Sequence, residues 1–249
     1  MIRLVHAEFV KLRTTQVWFW LLLAALAISA IVVVASLAPA NNVTDPSDVA
    51  DMFTASNNAS IVVFVLGVLG VTTEFRYQTI TPTVLVTPSR WTLITAKLIS
   101  YTLLGAIYAL ACLVIQLAMA LPWLSAKGID FSLDAQLRHV IGAVFIVVAL
   151  YGVIGLGVGA LLRNQIVAVT VGVIFLLALE NLILLIPKVR NAWAYTPGGA
   201  SNAILYTHGQ NDFNGVHLLS SGAGVIVLLV WALIPALIGA GITMNRDIT

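Results

Sequence analysis

The sequence is poor in charged residues and has a single cysteine. Asp, Glu, Lys and Arg together make up 9% of its 249 residues, whereas an ordinary soluble domain has roughly 25%. Cys112 lies inside an apolar run, which excludes a disulfide framework and a cysteine-based metal site. The net charge is only +2, and no basic run is interleaved with aromatic residues. A soluble globular protein and a nucleic-acid-binding protein are therefore both excluded.

The groups that a catalytic site requires are also scarce. The four histidines are scattered over segment ends and loops without the spacing of a zinc site: His6, His139, His208 and His217. No Gly-x-x-x-x-Gly-Lys-Ser/Thr motif is present, so the chain lacks the phosphate cradle of P-loop ATPases. We predict that the chain is not an enzyme and that it binds no metal or other cofactor itself.

Long apolar segments dominate the sequence. Hydrophobic residues make up 60% of the chain and the mean hydropathy is +1.03. A helix needs about 20 consecutive apolar residues to cross a bilayer. We therefore predict an all-α polytopic membrane protein, one domain over residues 1–249, with six spans near 17–38, 58–73, 98–121, 140–162, 166–187 and 221–244. Within these spans almost the only ionisable group is Glu180, which argues against a proton-coupled or sodium-coupled carrier.

The distribution of charge around the first span predicts the orientation. Arg3, Lys11 and Arg13 precede this span, whereas the loop after it carries three aspartates between 45 and 51 and no basic residue. Six spans put both termini on the same side, and the positive-inside rule makes that side cytoplasmic. Low lysine with abundant alanine, valine and glycine is typical of a GC-rich bacterium, so we expect a bacterial plasma membrane.

The first 16 residues have the pattern of an interfacial helix. Their apolar residues fall on one helical stripe, while Glu8 and Lys11 lie off it. Such a helix would rest in the inner interface before the chain enters the bilayer, and it could transmit a push from a cytoplasmic partner to the first span. The alternative is an inert basic anchor that only sets the topology.

The predicted inner loop at 74–97 is too rich in apolar residues and threonine to be a flexible tether. Pro88, preceded by Thr87, marks a turn between two short ordered pieces. We expect a partner to dock against this loop. The alternative is a helical extension of the second span with charged side chains that reach the interface.

The order of several short motifs resembles the permease subunits of ABC transporters of the ABC-2 class. The motifs are Ala7-Glu8-Phe9-Val10-Lys11-Leu12, the 74–79 stretch, Thr87-Pro88-Ser89-Arg90 with Lys97, Tyr195-Thr196-Pro197, and Asn245-Arg246-Asp247. The resemblance also covers the chain length, the number of spans and the loop sizes. The family often has glycine where this chain has Gln78.

This resemblance implies the permease of an ATP-driven exporter, which forms the translocation path. Two copies, or one copy with a related permease, would pair with two separate ATP-binding subunits that bind ATP and Mg. The 74–97 loop would couple to the ATPase, with the interfacial helix beside it. The coupling positions carried over are Glu74, Arg76, Thr79, Pro88, Ser89, Arg90 and Lys97. The alternative is an ATPase-independent membrane protein, such as a secondary carrier or an immunity-type membrane protein.

The end of the fifth span and the loop after it provide a second candidate region. Glu180 and Asn181 could line a translocation path and contact a cationic or hydroxylated substrate. The alternative is a carboxyl group bonded to the following outer loop, 188–220. That loop could contain short helices that dip back into the membrane, and the resemblance implies that such helices act as an outer gate.

Overall fold

The computed structural model describes residues 2–37, 50, 52–78, 90–128, 133–206, 212–213 and 215–245. Helices account for most of these residues. They are α1 (Ile2–Thr14), α2 (Val17–Leu37), α3 (Ala59–Arg76), α4 (Arg90–Ala126), α5 (Ala135–Leu162), α6 (Gln165–Ile174), α7 (Glu180–Leu185), α8 (Pro197–Leu205) and α9 (Ser221–Asn245). A π-helical turn, Phe175–Leu179, joins α6 to α7.

Short irregular elements complete the described chain. Two 3-10 segments cover Ala55–Asn58, before α3, and Arg190–Tyr195, before α8. A two-stranded antiparallel hairpin is formed by β1 (Asp212–Phe213) and β2 (Val216–His217). The hairpin, the second 3-10 segment and α8 all fall within the 188–220 stretch, which therefore contains short helical elements, while their re-entry into the membrane stays a prediction.

Six helical stretches among the described residues are long and apolar enough to cross a membrane. In chain order, these spans are Val17–Ser36, Met52–Arg76, Trp91–Ala126, Ala135–Leu162, Gln165–Leu185 and Ser221–Gly239. The prediction of an all-α polytopic membrane protein with six spans is confirmed. The fifth span consists of α6, the π-helical turn and α7.

The predicted loop at 74–97 is shorter in the structure. Helix α3 continues to Arg76 and α4 begins at Arg90, so both ends of the predicted loop are helical. The two helices are connected by residues 77–89, of which 79–89 lie outside the described residues. Hydropathy marks where a segment stops being apolar, whereas a helix ends where its backbone hydrogen bonds end. The last turn of α3 therefore continues the helix beyond the apolar segment, while the docking of a partner stays a prediction.

Side-chain caps mark where the fourth and fifth spans begin. Asp134 caps the start of α5 by accepting a hydrogen bond from the backbone N–H of Leu137 at 2.7 Å. Helix α5 ends at Leu162, and the next residue, Arg163, has a left-handed φ of 51°. The Asn164 side chain then accepts from two backbone N–H groups at the start of α6, at 3.1 and 3.2 Å. The chain thus leaves one span and enters the next within a few residues.

Helix α5 lies at the centre of the bundle and is approached closely on two sides. A Cβ placed on Gly155 would lie 2.0 Å from the carbonyl oxygen of Phe64 in α3. A Cβ on Gly157 would lie 2.7 Å from the backbone nitrogen of Ala236 in α9. Glycine lets helix backbones approach this closely in a membrane. Gly155 and Gly157 therefore serve packing within one chain.

Helix α8 packs against α9 and α5 at one end of the bundle. A Cβ on Gly224 of α9 would lie 2.8 Å from the carbonyl oxygen of Ala200, and the indole of Trp231 donates to the carbonyl of Tyr195 at 3.0 Å. Beside α8, the rings of Trp193 and Phe213 stack with centroids 5.1 Å apart. We call this the α8 end, and the opposite end, where α1 lies, the α1 end.

Candidate functional site

Four charged side chains meet at the α1 end. Lys97 of α4 donates to Glu8 of α1 at 2.9 Å and to Glu74 of α3 at 2.7 Å. Lys11 of α1 donates to the same two carboxylates, at 2.8 Å for Glu8 and 2.9 Å for Glu74. The four residues therefore form a closed ring of alternating charge, which we call the four-charge cluster.

The helices place these groups by simple geometry. Glu8 and Lys11 are three residues apart on α1, so they lie on the same side of that helix. Glu74 is in the last turn of α3, and Lys97 is two turns into α4. Since the two helices run in opposite directions and are joined by residues 77–89, the end of one lies beside the start of the other. The cluster thus joins α1 to the second and third spans.

Three of the four side chains are almost completely enclosed. The exposed fractions are 8% for Glu8, 9% for Glu74 and 8% for Lys97, whereas Lys11 is 43% exposed. Removing an ion from water costs several kcal/mol in a protein interior, and a close partner of opposite charge offsets that cost. Two lysines balance two carboxylates here. The removal of any one group would leave a buried charge without compensation.

The ring keeps the two members on α1 ionised. Burial raises the pKa of Glu8, but the nearby Lys97 and Lys11 outweigh burial and lower that pKa below its ordinary value. Burial lowers the pKa of Lys11, but hydrogen bonds and charge interactions with Glu8 and Glu74 outweigh it and raise that pKa. Both groups are therefore charged throughout the neutral pH range.

A second set of contacts joins α3 to the hairpin between the fourth and fifth spans. The guanidinium of Arg163 lies over the ring of Phe75, 5.4 Å from its centroid. Arg76 donates to the side-chain oxygen of Gln165 at 3.5 Å. The last turn of α3 therefore contacts α1 and α4 through Glu74, and the α5–α6 hairpin through the two residues that follow.

The structure brings some of the predicted coupling residues together and separates others. Glu8, Lys11, Glu74 and Lys97 form one cluster, while Arg76 faces the α5–α6 hairpin. Arg90 is the first residue of α4. Thr79, Pro88 and Ser89 lie outside the described residues.

Sequence reasoning did not select Phe75, Arg163 or Gln165 as site residues. A usable signal was present, because Arg163 and Gln165 belong to the very short polar connection between two apolar spans.

The backbone conformation of Gln78 accounts for the glycine that the ABC-2 pattern often has at this position. Its φ is 55°, in the left-handed region that glycine adopts without steric cost and that other L-residues adopt at a cost of roughly 1–2 kcal/mol. The glycine that often occupies this position in the family fits the turn that ends α3. The chain retains this turn with a glutamine.

Glu180 lies near the other end of the bundle and has a different environment. It is 2% exposed, and its Oε2 accepts a hydrogen bond from the backbone N–H of Gly198 in α8 at 2.8 Å. Its neighbour Asn181 is exposed and donates to the carbonyl of Leu177 in its own helix at 2.8 Å. The two predicted path residues therefore do not share a site. Glu180 instead contacts the segment after the fifth span, which is the geometry of the alternative, a carboxyl group bonded to the 188–220 loop.

The described residues contain no group of three or more His, Cys, Asp or Glu side chains that could hold a metal ion. Of the histidines, His139 is bonded to the backbone, with its Nε2 2.8 Å from the carbonyl oxygen of Ile204. Among the described residues, buried acidic side chains are therefore held in two places, the four-charge cluster at one end and the Glu180 contact at the other.

Comparison with known families agrees with this architecture. A family model described as "ABC-2 family transporter protein" matches residues 4–179, more than half of the chain, and this range includes the whole four-charge cluster. Glu180 follows the matched range directly, and α8 lies beyond it. No curated protein matches the sequence. The chain belongs to the ABC-2 family of transporter proteins and is a multi-pass membrane permease of an ABC transporter, a family that associates with an ABC ATP-binding subunit.

Proposed function

We propose that this permease forms the translocation path of an ATP-driven exporter and that the four-charge cluster couples the path to ATP. Two copies of a separate subunit bind ATP and Mg and hydrolyse the nucleotide. A second copy of this chain, or a related permease, completes the path. The whole chain acts as one transmembrane domain in a bacterial plasma membrane, with both termini in the cytoplasm.

The observation that carries the proposal is the convergence of charged contacts at the α1 end. Helix α3 ends in a turn that contacts α1, α4 and the α5–α6 hairpin through three consecutive residues, Glu74, Phe75 and Arg76. A displacement of the 77–89 connection would therefore be transmitted to four spans at once. A surface loop without such contacts would move alone.

The surface near this connection is suited to a partner. Tyr77, the first residue of the connection, is 65% exposed, and Trp91, shortly after the connection, is 52% exposed. On α1, Ile2 and Val10 are 87% and 45% exposed, respectively. We place the ATP-binding subunit against the 77–89 connection and α1. When ATP closes the two partner subunits, this end of the permease would move as one unit.

Charge at the α1 end also supports the proposed orientation. Basic residues of α1, the end of α3 and the α5–α6 hairpin gather there, including Arg3, Arg13, Arg76 and Arg163. An excess of Lys and Arg in short loops beside the spans is typical of the cytoplasmic side. In this orientation, the α1 end faces a soluble ATPase.

The exposed side of the fifth span is our candidate for the path and the second permease. Only 17% of this span is buried within the chain. Asn181 is exposed there among apolar neighbours such as Leu182 and Leu185, which are 51% and 75% exposed. A polar group facing lipid is unfavourable, so this face suits a protein partner or a hydrated path. Glu180, in contrast, is enclosed and does not lie on this exposed face.

The experiment is affinity purification of the tagged permease from its native membrane in mild detergent, with identification of its partners and an ATPase assay. We expect a P-loop ATPase to be recovered, with activity that depends on the cluster. Lys97→Met should lower the ATPase activity of the complex severalfold. Lys188→Met, which changes an exposed lysine beyond the fifth span, is the matched control and should leave it unchanged.

Two results would contradict the proposal. In the first, the permease purifies alone and without ATPase activity under conditions that preserve known complexes. That result would favour an ATPase-independent carrier or an immunity-type membrane protein. In the second, an ATPase is recovered but Lys97→Met and Lys188→Met behave alike, which would remove the coupling role of the cluster.

A further inference from the structure

The fifth span contains one irregular turn, directly before its buried carboxylate. Residues Phe175–Leu179 are π-helical, and the backbone N–H of Glu180 donates to the carbonyl of Phe175, five residues earlier. A π-helical turn holds one residue more than an α-helical turn, and such turns are frequent at functional sites. The residues after the turn therefore face a direction that a regular helix would not give them.

The faces of the span show what this extra residue changes. Gly172 faces the core, because a Cβ placed there would lie 2.3 Å from the ring of Phe64. In a regular helix of 3.6 residues per turn, the seventh residue after Gly172 returns to the same face. That residue, Leu179, is instead 46% exposed, while Glu180 is 2% exposed. The π turn thus places a carboxylate inside and a leucine outside.

This arrangement is unfavourable for the carboxyl group but not for the leucine. Lipid tails are as apolar as a leucine side chain, so Leu179 can face them without cost, whereas an acidic group within a membrane span is unfavourable unless it is paired. Moreover, Glu180 Oε1 is buried and has no hydrogen-bond partner among the described residues. The π turn therefore requires a specific compensating contact.

The N-terminus of α8 provides that contact. Gly198 is the second residue of α8, and its N–H donates to Glu180 Oε2 at 2.8 Å. The first N–H groups of a helix lack partners within the helix, and this end of the helix dipole attracts negative charge.

Two features show that this contact is specific. A Cβ on Gly198 would lie only 2.1 Å from Glu180 Oε2, so the approach depends on glycine. The hydroxyl of Thr196 also lies near this carboxylate, but it donates to the carbonyl of Trp193 at 2.8 Å and accepts from Gly199 at 3.2 Å. Gly198 therefore supplies the hydrogen bond to Glu180.

We propose that Glu180 is a positioning residue that fastens α8 to the fifth span, and that the π turn is the device that brings it there. The register of the fifth span and the position of α8 are then coupled. When the Glu180–Gly198 hydrogen bond breaks, the turn can relax to a regular helix, with Leu179 inside and α8 released. The consequence for transport, control of the α8 end of the path, rests on the proposed permease function.

Hydrogen–deuterium exchange of the 197–205 peptides tests this in the purified full-length protein, without ATP or substrate. In Glu180→Leu, exchange should rise about tenfold or more, because the Gly198 N–H loses its acceptor. Glu180→Gln keeps an acceptor oxygen and should stay within about threefold of the wild type. Gly198→Ala keeps the carboxylate but forces it away, and should resemble Glu180→Leu. Gly222→Ala, at the second residue of α9 with nothing within 4 Å of the added Cβ, is the matched control and should change nothing.

Deletion of Leu179 tests the role of the π turn. It restores a spacing of seven residues from Gly172 to Glu180, so a regular helix should keep the carboxylate against Gly198 and α8 should remain protected. If this deletion exposes α8 as strongly as Glu180→Leu does, the register argument is wrong. If Glu180→Leu leaves exchange at α8 unchanged, the fastening role is wrong even where an ATPase co-purifies. Conversely, exchange that follows our expectation in a protein without an ATPase would contradict the proposed function alone.

Discussion

The two ends of the bundle stabilise buried carboxylates in different ways. At the α1 end, Glu8 and Glu74 are each paired with two lysines in a closed ring. At the α8 end, Glu180 is held by one backbone N–H at the start of a helix. A ring of charges joins three helices as one unit, whereas a single hydrogen bond can open and close. Under the proposed function, the α1 end would transmit motion and the α8 end would respond to it.

The largest effect should come from the loss of a single charge in the ring. Lys97→Met leaves two enclosed carboxylates with only the half-exposed Lys11, and breaking a buried ion pair in this way costs about 3–5 kcal/mol. The free energy of unfolding, measured in detergent, should fall by this amount. Lys188→Met should change it by less than about 0.5 kcal/mol. A similar loss in both variants would show that the ring is not a buried network.

Variants that exchange the charges of the four-charge cluster can show whether all four groups interact or only one pair does. The double variant Glu74→Lys with Lys97→Glu preserves that pair, but it places the new lysine beside Lys11 and the new glutamate beside Glu8, so it should remain destabilised. Adding Glu8→Lys and Lys11→Glu restores the alternation and should recover most of the lost stability. Recovery by the double variant alone would reduce the cluster to one pair.

The two ends should contribute independently to stability. The fifth span has 21 residues, and at 1.5 Å per residue its ends are roughly 30 Å apart. Distant sites without shared partners are usually additive within about 0.5 kcal/mol. We therefore expect the free-energy losses of Lys97→Met and Glu180→Leu to add in the combined variant without ATP. A strong departure from additivity would show that the ends are already coupled in the resting permease.

The pH dependence should also distinguish the ring. The pKa of Glu8 is lowered by folding, so its contribution is present above its unfolded value of about 4.3 and is lost as pH falls through the folded value. The pKa of Lys11 is raised, so its contribution is present below about 10.4 and is lost as pH rises through the folded value. Stability from Glu8 and Lys11 should be constant between about pH 5 and 10. In Glu8→Gln, the free energy of unfolding should fall less steeply as the pH is lowered below about 4.3. An unchanged acid dependence would show that Glu8 is not stabilised by the ring.

The smallest effect is expected at the end of α3. Gln78→Gly should raise the free energy of unfolding by about 0.5–1 kcal/mol, since it relieves a left-handed glutamine at some entropic cost. Tyr77 precedes it with a φ of −96° and is the matched control, because glycine there relieves nothing and should lower stability. Equal effects of the two substitutions would show that the backbone at Gln78 is not strained.

Much of the architecture could be predicted from the sequence, because apolar segments in a membrane have few alternatives to helices. The family resemblance selected Glu8, Lys11, Glu74 and Lys97, but it did not show that they pair, since the ring joins residues 63 and 89 positions apart. Helix ends were predicted less well, because the charged last turn of α3 is helical although it is not apolar.

The inward position of Glu180 could not be read from hydrophobic periodicity. A regular period would turn Leu179 toward the core, and the observed arrangement depends on a π turn and on Gly198, which is 18 residues away. A carboxylate within a span did signal a special position. The nature of its partner required the fold.

The most direct test of the account is the exchange of α8 in the purified permease–ATPase complex, with and without ATP under conditions that block hydrolysis. We predict that ATP changes exchange over 197–205 in the wild type and in Lys188→Met, and that this response disappears in Lys97→Met while the ATPase remains bound. An undiminished response in Lys97→Met would show that motion reaches α8 without the four-charge cluster, and it would contradict the coupling mechanism.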